Sequence, residues 1–290
     1  LAVFYIFYWL FLRKDTFFFF FIFYLIGSLI LSAIIPLIDF SYLISQNPAN
    51  YLVILEPITI TASEINGSIQ NHLSTYQTIL VIYFTGVGLF AARFFFQIMQ
   101  IYLLRLQSRV LKEEDARIVL VKKNITPFSF FNMIFIQEKD LNDNDFTEII
   151  RHELVHINQR HSLDIILAEV ICIILWFNPF IWLYQRSLKS IHEYLADEGV
   201  LQQGTRKKMY QELLLSQTFG VNINNLTNNF NHSLIKRRFI MMTKSRSKSW
   251  ERLKLLMILP MALALLLVLM SNTNSLAQVE KETPKETIVK

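Results

Sequence analysis

The sequence predicts a mainly α-helical membrane protein with a small α+β domain inserted between its transmembrane helices. Hydrophobic residues make up 53% of the 290 residues and charged residues only 18%, which is too apolar for an ordinary soluble protein of this length. The segments 16–38 and 255–277 contain no charge, and each is long enough for a helix that crosses a bilayer. Between them lies a more polar region with short strand-like and helical patterns.

The apolar segments define the order of the membrane helices. Because the apolar stretch Ala2–Leu12 is shorter than the roughly 20 residues of a span, we expect the first helix to be truncated. From the N-terminus the expected regions are 1–38, a first (truncated) and a second transmembrane helix joined by a short cytoplasmic turn; 39–76, an extracytoplasmic loop; 77–105, a third transmembrane helix; 106–253, a cytoplasmic domain; 254–278, a last transmembrane helix; and 279–290, an extracytoplasmic linker that is itself truncated.

Charge placement orients these helices. Residues 39–76 contain neither Lys nor Arg, whereas Arg13, Lys14 and many positions from 105 to 254 are basic. The positive-inside rule therefore places 13–14 and 105–254 in the cytoplasm. The basic run at 236–254 adjoins the last helix, so we expect it to contact the anionic head groups of the lipid bilayer rather than nucleic acid.

One motif carries specific chemistry: His152, Glu153 and His156 form a His-Glu-x-x-His string. On a helix, residues four apart share a face, so both imidazoles can bind one metal ion. Glu153 then lies beside the ion, where a zinc-bound water needs a general base. The string therefore predicts a zinc (Zn2+) site with His152 and His156 as ligands and Glu153 as the catalytic base.

A catalytic zinc site requires a third protein ligand. A histidine six residues after His156 is excluded, because a serine stands there. We choose Glu193 from a downstream helix, with His192 and Glu198 as rival ligands. Asp197 lies one turn beyond Glu193 on the same face, and we expect it to accept the second N–H of a ligating imidazole.

Other polar residues near the motif are left undecided. His161 lies off the ligand face and is expected at the surface or at a helix end. Spacing favours no single oxyanion stabiliser. The candidates are Tyr194, His192, Arg151 and Tyr184.

The apolar segment Ile165–Trp182 decides whether the ligands can meet. If it crossed the membrane once, His156 and Glu193 would lie on opposite sides and could not share a metal ion. We therefore expect residues 162–187 to form a buried or re-entrant helical hairpin that turns near Asn178 and the proline after it. Such a turn must be covered by protein, because irregular backbone is not tolerated in contact with lipid.

Two β-prone segments precede the motif. Arg117–Lys122 and Met133–Gln137 are predicted to form a small β-hairpin before a helix that starts near Asp145. Metallopeptidases commonly bind extended substrates along a sheet edge, so this sheet either binds substrate or only covers the core.

The order of these features resembles that of the BlaR/MecR-type membrane metallopeptidases. The resemblance covers roughly residues 1–278, and its composition is similar to versions from Bacteroidetes-like bacteria. It rests on four elements that occur in order: Pro127–Phe131, His152–His156, Asn178–Trp182 and Glu193–Asp197.

The resemblance implies a transmembrane helix bundle with an inserted small α+β, gluzincin-like zinc metallopeptidase domain. It implies a protein of the inner (cytoplasmic) membrane that transduces an external signal by cleaving a cytoplasmic protein substrate, such as a transcriptional repressor, or itself. The family's best-known members carry a penicillin-binding sensor domain, which the resemblance here does not include, so the signal is left open.

Other functions stay open at this point. A non-proteolytic, TonB-like coupler of signal or energy would use the zinc motif only structurally, and a fourth protein ligand such as His192 would favour it. A transporter is disfavoured, because the charge cluster lies in the predicted cytoplasmic domain rather than within spans. The sequence does not decide whether the chain forms a homodimer.

Overall fold

The computed structural model describes residues 1–35, 75–113, 115–142, 145–219, 225–264 and 266. The described chain is mainly helical with one small sheet. It divides into two compact units, Leu1–Ile30 with Phe84–Leu255 and Leu31–Tyr83 with Leu256–Lys290. The expected loop at 39–76 (except its last two residues), the second half of the expected helix at 254–278 and the expected linker at 279–290 lie outside the described residues.

Three apolar helices precede the sheet. Helix α1 (Ala2–Phe7) continues as a π-helical turn over Tyr8–Leu12, and α2 spans Phe18–Ile34. Helix α3 (Thr75–Leu106) covers the predicted third transmembrane segment. Among the described residues, α3 is the one helix long and apolar enough to cross a membrane by length and composition.

The one buried residue of α3 is Gly86. A β-carbon at this position would lie 2.2 Å from the indole of Trp176, so this close approach requires glycine. One turn further along, the ring of Phe90 contacts Trp176 and Trp182 at centroid distances of 6.1 and 5.3 Å. The apolar helix is thereby fixed to the chain segment that precedes Glu193.

The sheet has four strands in the order β1-β2-β4-β3. They are β1 (Arg109–Lys112), β2 (Arg117–Val121), β3 (Phe128–Phe130) and β4 (Met133–Gln137). The predicted hairpin between the segments 117–122 and 133–137 is wrong, because β2 and β4 are parallel neighbours. The antiparallel partner of β4 is β3, which the sequence analysis missed, and the turn between them holds Phe131 at a φ of 51°.

Helix α4 (Phe146–Asn158) carries the His-Glu-x-x-His motif and begins next to Asp145, as predicted. Its apolar residues recur at intervals of three and four and cover one face of the sheet. This packing turns His152 and His156 away from the sheet, with Glu153 between the two faces. The packed residues are Phe146, Ile150, Leu154 and Ile157 on α4, against Ile118, Leu120, Ile134 and Ile136 on the strands.

Helices α5 (His161–Ile174) and α6 (Pro179–Gln202) pack against each other and are joined by a short turn. Asn178 ends the turn, because its side-chain oxygen accepts a hydrogen bond of 3.0 Å from the N–H two residues later and a proline occupies the first helical position. Since α6 returns along α5, His156 and Glu193 lie at the same end of the pair.

Two further helices complete the unit around α4 and α6. Helix α7 (Lys207–Phe219) packs with α4 and α6 in a cluster that includes the buried Tyr210. Helix α8 (Asn225–Thr243) contacts α6 and α7. Short 3-10 segments occupy Glu138–Asn142 and Ser249–Met257.

Helix α4 packs closely against α6 at Gly199. A β-carbon on Gly199 would lie 2.6 Å from Cγ2 of Val155. The side chain of Val155 has little freedom to move, because a β-branched residue in a helix is restricted to one main rotamer. The missing side chain at Gly199 therefore sets the distance between the two helices that carry the metal-binding residues.

We expect Gly199→Ala to lower the free energy of unfolding by about 1–2 kcal/mol. Overpacking costs roughly 1–3 kcal/mol, which exceeds the roughly 0.5–1 kcal/mol that alanine gains over glycine in a helix. Denaturant unfolding of the full chain in detergent measures the change. Adding Val155→Ala should recover part of the loss. Equal or greater stability of Gly199→Ala alone would contradict this account of the crossing.

Candidate metal centre

The structure brings together His152, His156 and Glu193. One ligand atom from each lies within 4.8 Å of the others. The two Nε2 atoms are 3.2 Å apart, and the Glu193 carboxylate oxygens lie 3.6 Å from each of them. The Glu193 side chain is 37% exposed, so the group can be reached from solvent.

A chain of hydrogen bonds orients His152. The hydroxyl of Tyr210 donates to Asp197 Oδ1 (2.9 Å) and lies 2.7 Å from Nδ1 of His152. Since the hydroxyl has one proton and the carboxylate can only accept, Nδ1 of His152 must be the donor to Tyr210. Asp197 itself is 3.8 Å from Nδ1, so it acts on the imidazole through Tyr210 rather than by the direct hydrogen bond that the sequence suggested.

A second chain orients His156. Its Nδ1 lies 2.8 Å from Nδ1 of His161, and Nε2 of His161 lies 3.0 Å from the side-chain oxygen of Gln159. If Nε2 of His161 donates to that amide oxygen, its Nδ1 accepts from His156. His161 begins α5, but it is only 1% exposed, so the expected position at a helix end is found and the expected surface position is wrong.

These tautomers suit a metal cation. With both Nδ1 atoms acting as donors, the Nε2 lone pairs of His152 and His156 point towards the Glu193 carboxylate and towards each other. Three electron-rich atoms so close together repel each other unless a cation lies among them. Two imidazoles and one carboxylate are a donor set that Zn2+ accepts, and the described residues therefore fit this ion.

Burial and nearby charges set the ionisation of these groups. Burial and the neighbouring His152 lower the pKa of His156 to about 3. Burial alone would lower the pKa of His152, but the Glu193 carboxylate outweighs this effect and raises the pKa. The same carboxylate therefore favours a positive charge at the His152 ring, whether a proton or a metal ion. Burial raises the pKa of Glu153, opposed by His152, and a raised pKa favours a general base that works near neutral pH.

Arg238 completes the charge arrangement and was not singled out by the sequence. Its Nη1 lies 2.8 Å from Oε2 of Glu193, and its Nε and Nη2 donate to the two oxygens of Asp197. Partial loss of hydration would raise the pKa of Glu193, but Arg238, followed by His152, holds that pKa well below its usual range. Glu193 is therefore a carboxylate under all ordinary conditions.

A cleft opens beside the ligands. A cavity of about 320 Å³ is bordered by β3, by α4 and by Glu193, and Ser129 of β3 hydrogen-bonds the Glu153 side chain. β3 is an edge strand of the described sheet. A larger cavity of about 860 Å³ shares Thr126, His156 and Glu193 with the first and continues along α6.

The other sequence candidates lie in different surroundings. His192 is 1% exposed, stacks on His161 at 3.9 Å and places its Nε2 3.0 Å from Asp164, and it is not in the ligand group. Glu198 pairs with a basic side chain of the segment after α8. Of the oxyanion candidates, Tyr194 and His192 line the larger cavity. Tyr184 bonds to Ser28 and Arg151 to Thr205.

Comparison with known proteins agrees with these features. A family model described as BlaR1 peptidase M56 matches residues 17–242. The regulatory protein BlaR1 of Staphylococcus aureus is 29% identical over 139 residues, a match that covers 46% of this chain and 23% of that protein. The chain therefore matches about a quarter of the length of this relative.

We expect Tyr210→Phe to weaken zinc binding about 10–100-fold, the usual effect of removing a hydrogen-bond partner behind a metal-binding histidine. The substitution removes the group that joins His152 to Asp197 and leaves the ring volume nearly unchanged. Competition with a chromogenic chelator measures the affinity. Tyr5→Phe is the matched control, because the Tyr5 hydroxyl bonds to Ser187 away from the ligands. Equal affinities of the two variants would contradict the assignment.

Proposed function

Since the chain belongs to the BlaR1 peptidase M56 family, we propose that it is an integral-membrane zinc metallopeptidase that transduces an external signal by cleaving a cytoplasmic protein or itself. Membership of this family implies a membrane-associated metallopeptidase. The observation that carries the proposal is the convergence of His152, His156 and Glu193 beside the buried carboxyl group of Glu153.

His152, His156 and Glu193 would hold the zinc ion, which when bound lowers the pKa of a water molecule and polarises a carbonyl group. The Glu153 carboxylate then accepts the proton of the attacking water and passes it to the leaving amine nitrogen. Tyr210 and His161 keep both imidazoles in the tautomer that offers Nε2.

The shape of the cleft supports an extended peptide substrate. The edge strand β3 borders the smaller cavity, and Ser129 on this strand touches Glu153. A substrate strand added to β3 would pass its backbone beside the catalytic base. We assign the cavity along α6 to side chains on one side of the cleaved bond.

The membrane topology belongs to the same proposal. We assign the regions 1–38, 77–105 and 254–278 to transmembrane helices, 39–76 and 279–290 to the extracytoplasmic side, and 106–253 to a cytoplasmic peptidase domain. The length and composition of α3 support this assignment, and so does the placement of basic residues, which occur at 13–14 and throughout 105–254 but nowhere in 39–76. The substrate would be a cytoplasmic protein such as a transcriptional repressor, in keeping with the regulatory relative.

The alternative is a non-proteolytic coupler with a structural zinc ion. Structural sites are closed by four protein ligands, whereas the group found among the described residues contains three. His192, the fourth ligand that the sequence offered, lies outside this group, and its Nε2 is 3.0 Å from Asp164. An adjoining cleft and a buried carboxyl group also favour the peptidase over the coupler.

We expect Glu153→Gln to abolish proteolysis while one zinc ion per chain is retained, because the amide keeps the shape of the side chain but cannot accept the proton. His156→Ala should lose both zinc and proteolysis. Zinc content and self-cleavage of the purified full-length chain measure the two effects. Glu198→Gln, the same change on α6, is the control that should alter neither. Normal proteolysis by Glu153→Gln would refute the assigned base.

A further inference from the structure

We propose that Arg238 is a positioning residue of the metal centre and connects this centre to the turn between α1 and α2. The inference rests on the proposed function, because it assigns a role at the same metal site. Arg238 and the turn take no part in the chemical steps of peptide cleavage described above. Two sets of contacts carry it, one at each end of the segment that begins with Arg238.

The first set of contacts holds Glu193, the carboxylate ligand. Glu193 and Asp197 are four residues apart on α6 and present their carboxylates on one face. The planar guanidinium of Arg238 binds both of them, with Nη1 2.8 Å from Oε2 of Glu193 and Nε 2.9 Å from Oδ2 of Asp197. The oxygen held by Arg238, Oε2, lies 3.6 Å from Nε2 of His152, and the other oxygen, Oε1, lies 3.6 Å from Nε2 of His156.

Arg238 also supports His152, through Asp197 and Tyr210. Asp197 accepts from Arg238 and from Tyr210, and Tyr210 accepts from Nδ1 of His152. One side chain on α8 therefore supports two of the three ligands. The Arg238 side chain is only 13% exposed, so it has little room to adopt another position.

The second set of contacts joins the chain after α8 to the turn before α2. Lys244 donates to the backbone carbonyl of Lys14. Thr16 and Ser247 exchange two hydrogen bonds, each from the backbone N–H of one to the side-chain hydroxyl of the other, at 3.1 and 2.8 Å. Lys254 pairs with Asp15 at 2.9 Å.

Only the last turn of α8 separates the two sets of contacts. Arg238 lies five residues before Thr243, the last residue of α8, which corresponds to about 7.5 Å along a helix, and Lys244 follows directly. A shift of the turn at 14–16 relative to α6 would therefore reach Arg238 through this segment, beside the direct contact of Phe18 with Tyr194 of α6 at a ring distance of 5.3 Å. Among the three ligands, Glu193 is the one that Arg238 contacts directly.

The first experiment measures zinc affinity rather than proteolysis. The full-length chain in detergent is titrated with zinc against a chromogenic chelator. The proteins compared are the unsubstituted chain, Arg238→Gln, Arg238→Lys and a control, Arg237→Gln. Arg237 is the neighbour of Arg238, and its side chain is exposed. We expect Arg238→Gln to weaken zinc binding about 10–100-fold, Arg238→Lys to weaken it less, and Arg237→Gln to leave it unchanged.

Thermal unfolding of the metal-free variants separates positioning from folding. If Arg238→Gln does not fold, the decision passes to Arg238→Lys, which keeps the charge but loses the planar fork. Zinc affinity equal to that of the unsubstituted chain in a folded Arg238 variant would overturn the proposal. So would reduced turnover at unchanged zinc affinity, which would place Arg238 on the substrate instead.

The second experiment tests the connection to the turn. Thr16→Val combined with Ser247→Ala removes the reciprocal pair far from the ligands. We expect a loss of zinc affinity of about 2–30-fold in the unsubstituted background and little further loss when the folded Arg238 variant is already present. Equal losses in both backgrounds, or none in either, would overturn the connection.

The outcomes also separate this inference from the proposed function. An unsubstituted chain that binds no zinc would overturn both. Zinc bound equally by the unsubstituted chain and by the Arg238 variants, with proteolysis that depends on Glu153, would overturn only the role of Arg238.

Discussion

The metal centre depends on the close crossing of α4 and α6. These helices supply all three candidate ligands, and their separation is set where Gly199 leaves room for Val155. A β-carbon on Gly199 would lie 2.6 Å from Val155, the residue before His156, so the crossing would have to shift beside one of the ligands. The turn at Asn178 and the return of α6 along α5 have the same consequence, because they bring Glu193 back to the end of the pair where His156 lies.

The ligands themselves form only part of the site. His152 is oriented from α7 through Tyr210, His156 from α5 through His161, and Glu193 from α8 through Arg238. Each of these supports comes from a different helix. The site is therefore assembled by tertiary docking, and the ligand geometry is sensitive to how the later helices pack as well as to the two helices that carry the ligands.

The sequence predicted the parts of the site that follow local rules. Two histidines four apart on a helix, and the start of that helix at Asp145, depend on spacing that any helix reproduces. Tyr210 and Arg238 were missed, because they reach the site across 58 and 41 residues of chain and no local pattern marks them. The parallel pairing of β2 and β4 was missed because a strand of only three residues, β3, lies between them in the chain and is the antiparallel partner of β4.

The length of α3 has a geometric consequence. Its 32 residues extend about 48 Å as a straight helix, whereas the hydrocarbon core of a bilayer is about 30 Å thick. In a membrane the helix must therefore lean away from the bilayer normal or project beyond the head groups. The helix is held at two levels, by Gly86 against Trp176 and by Ile101 and Leu104 against the sheet, and these contacts fix both its rotation and its angle to the strands. A lipid thickness that changes the lean of α3 would therefore turn the sheet together with the helix.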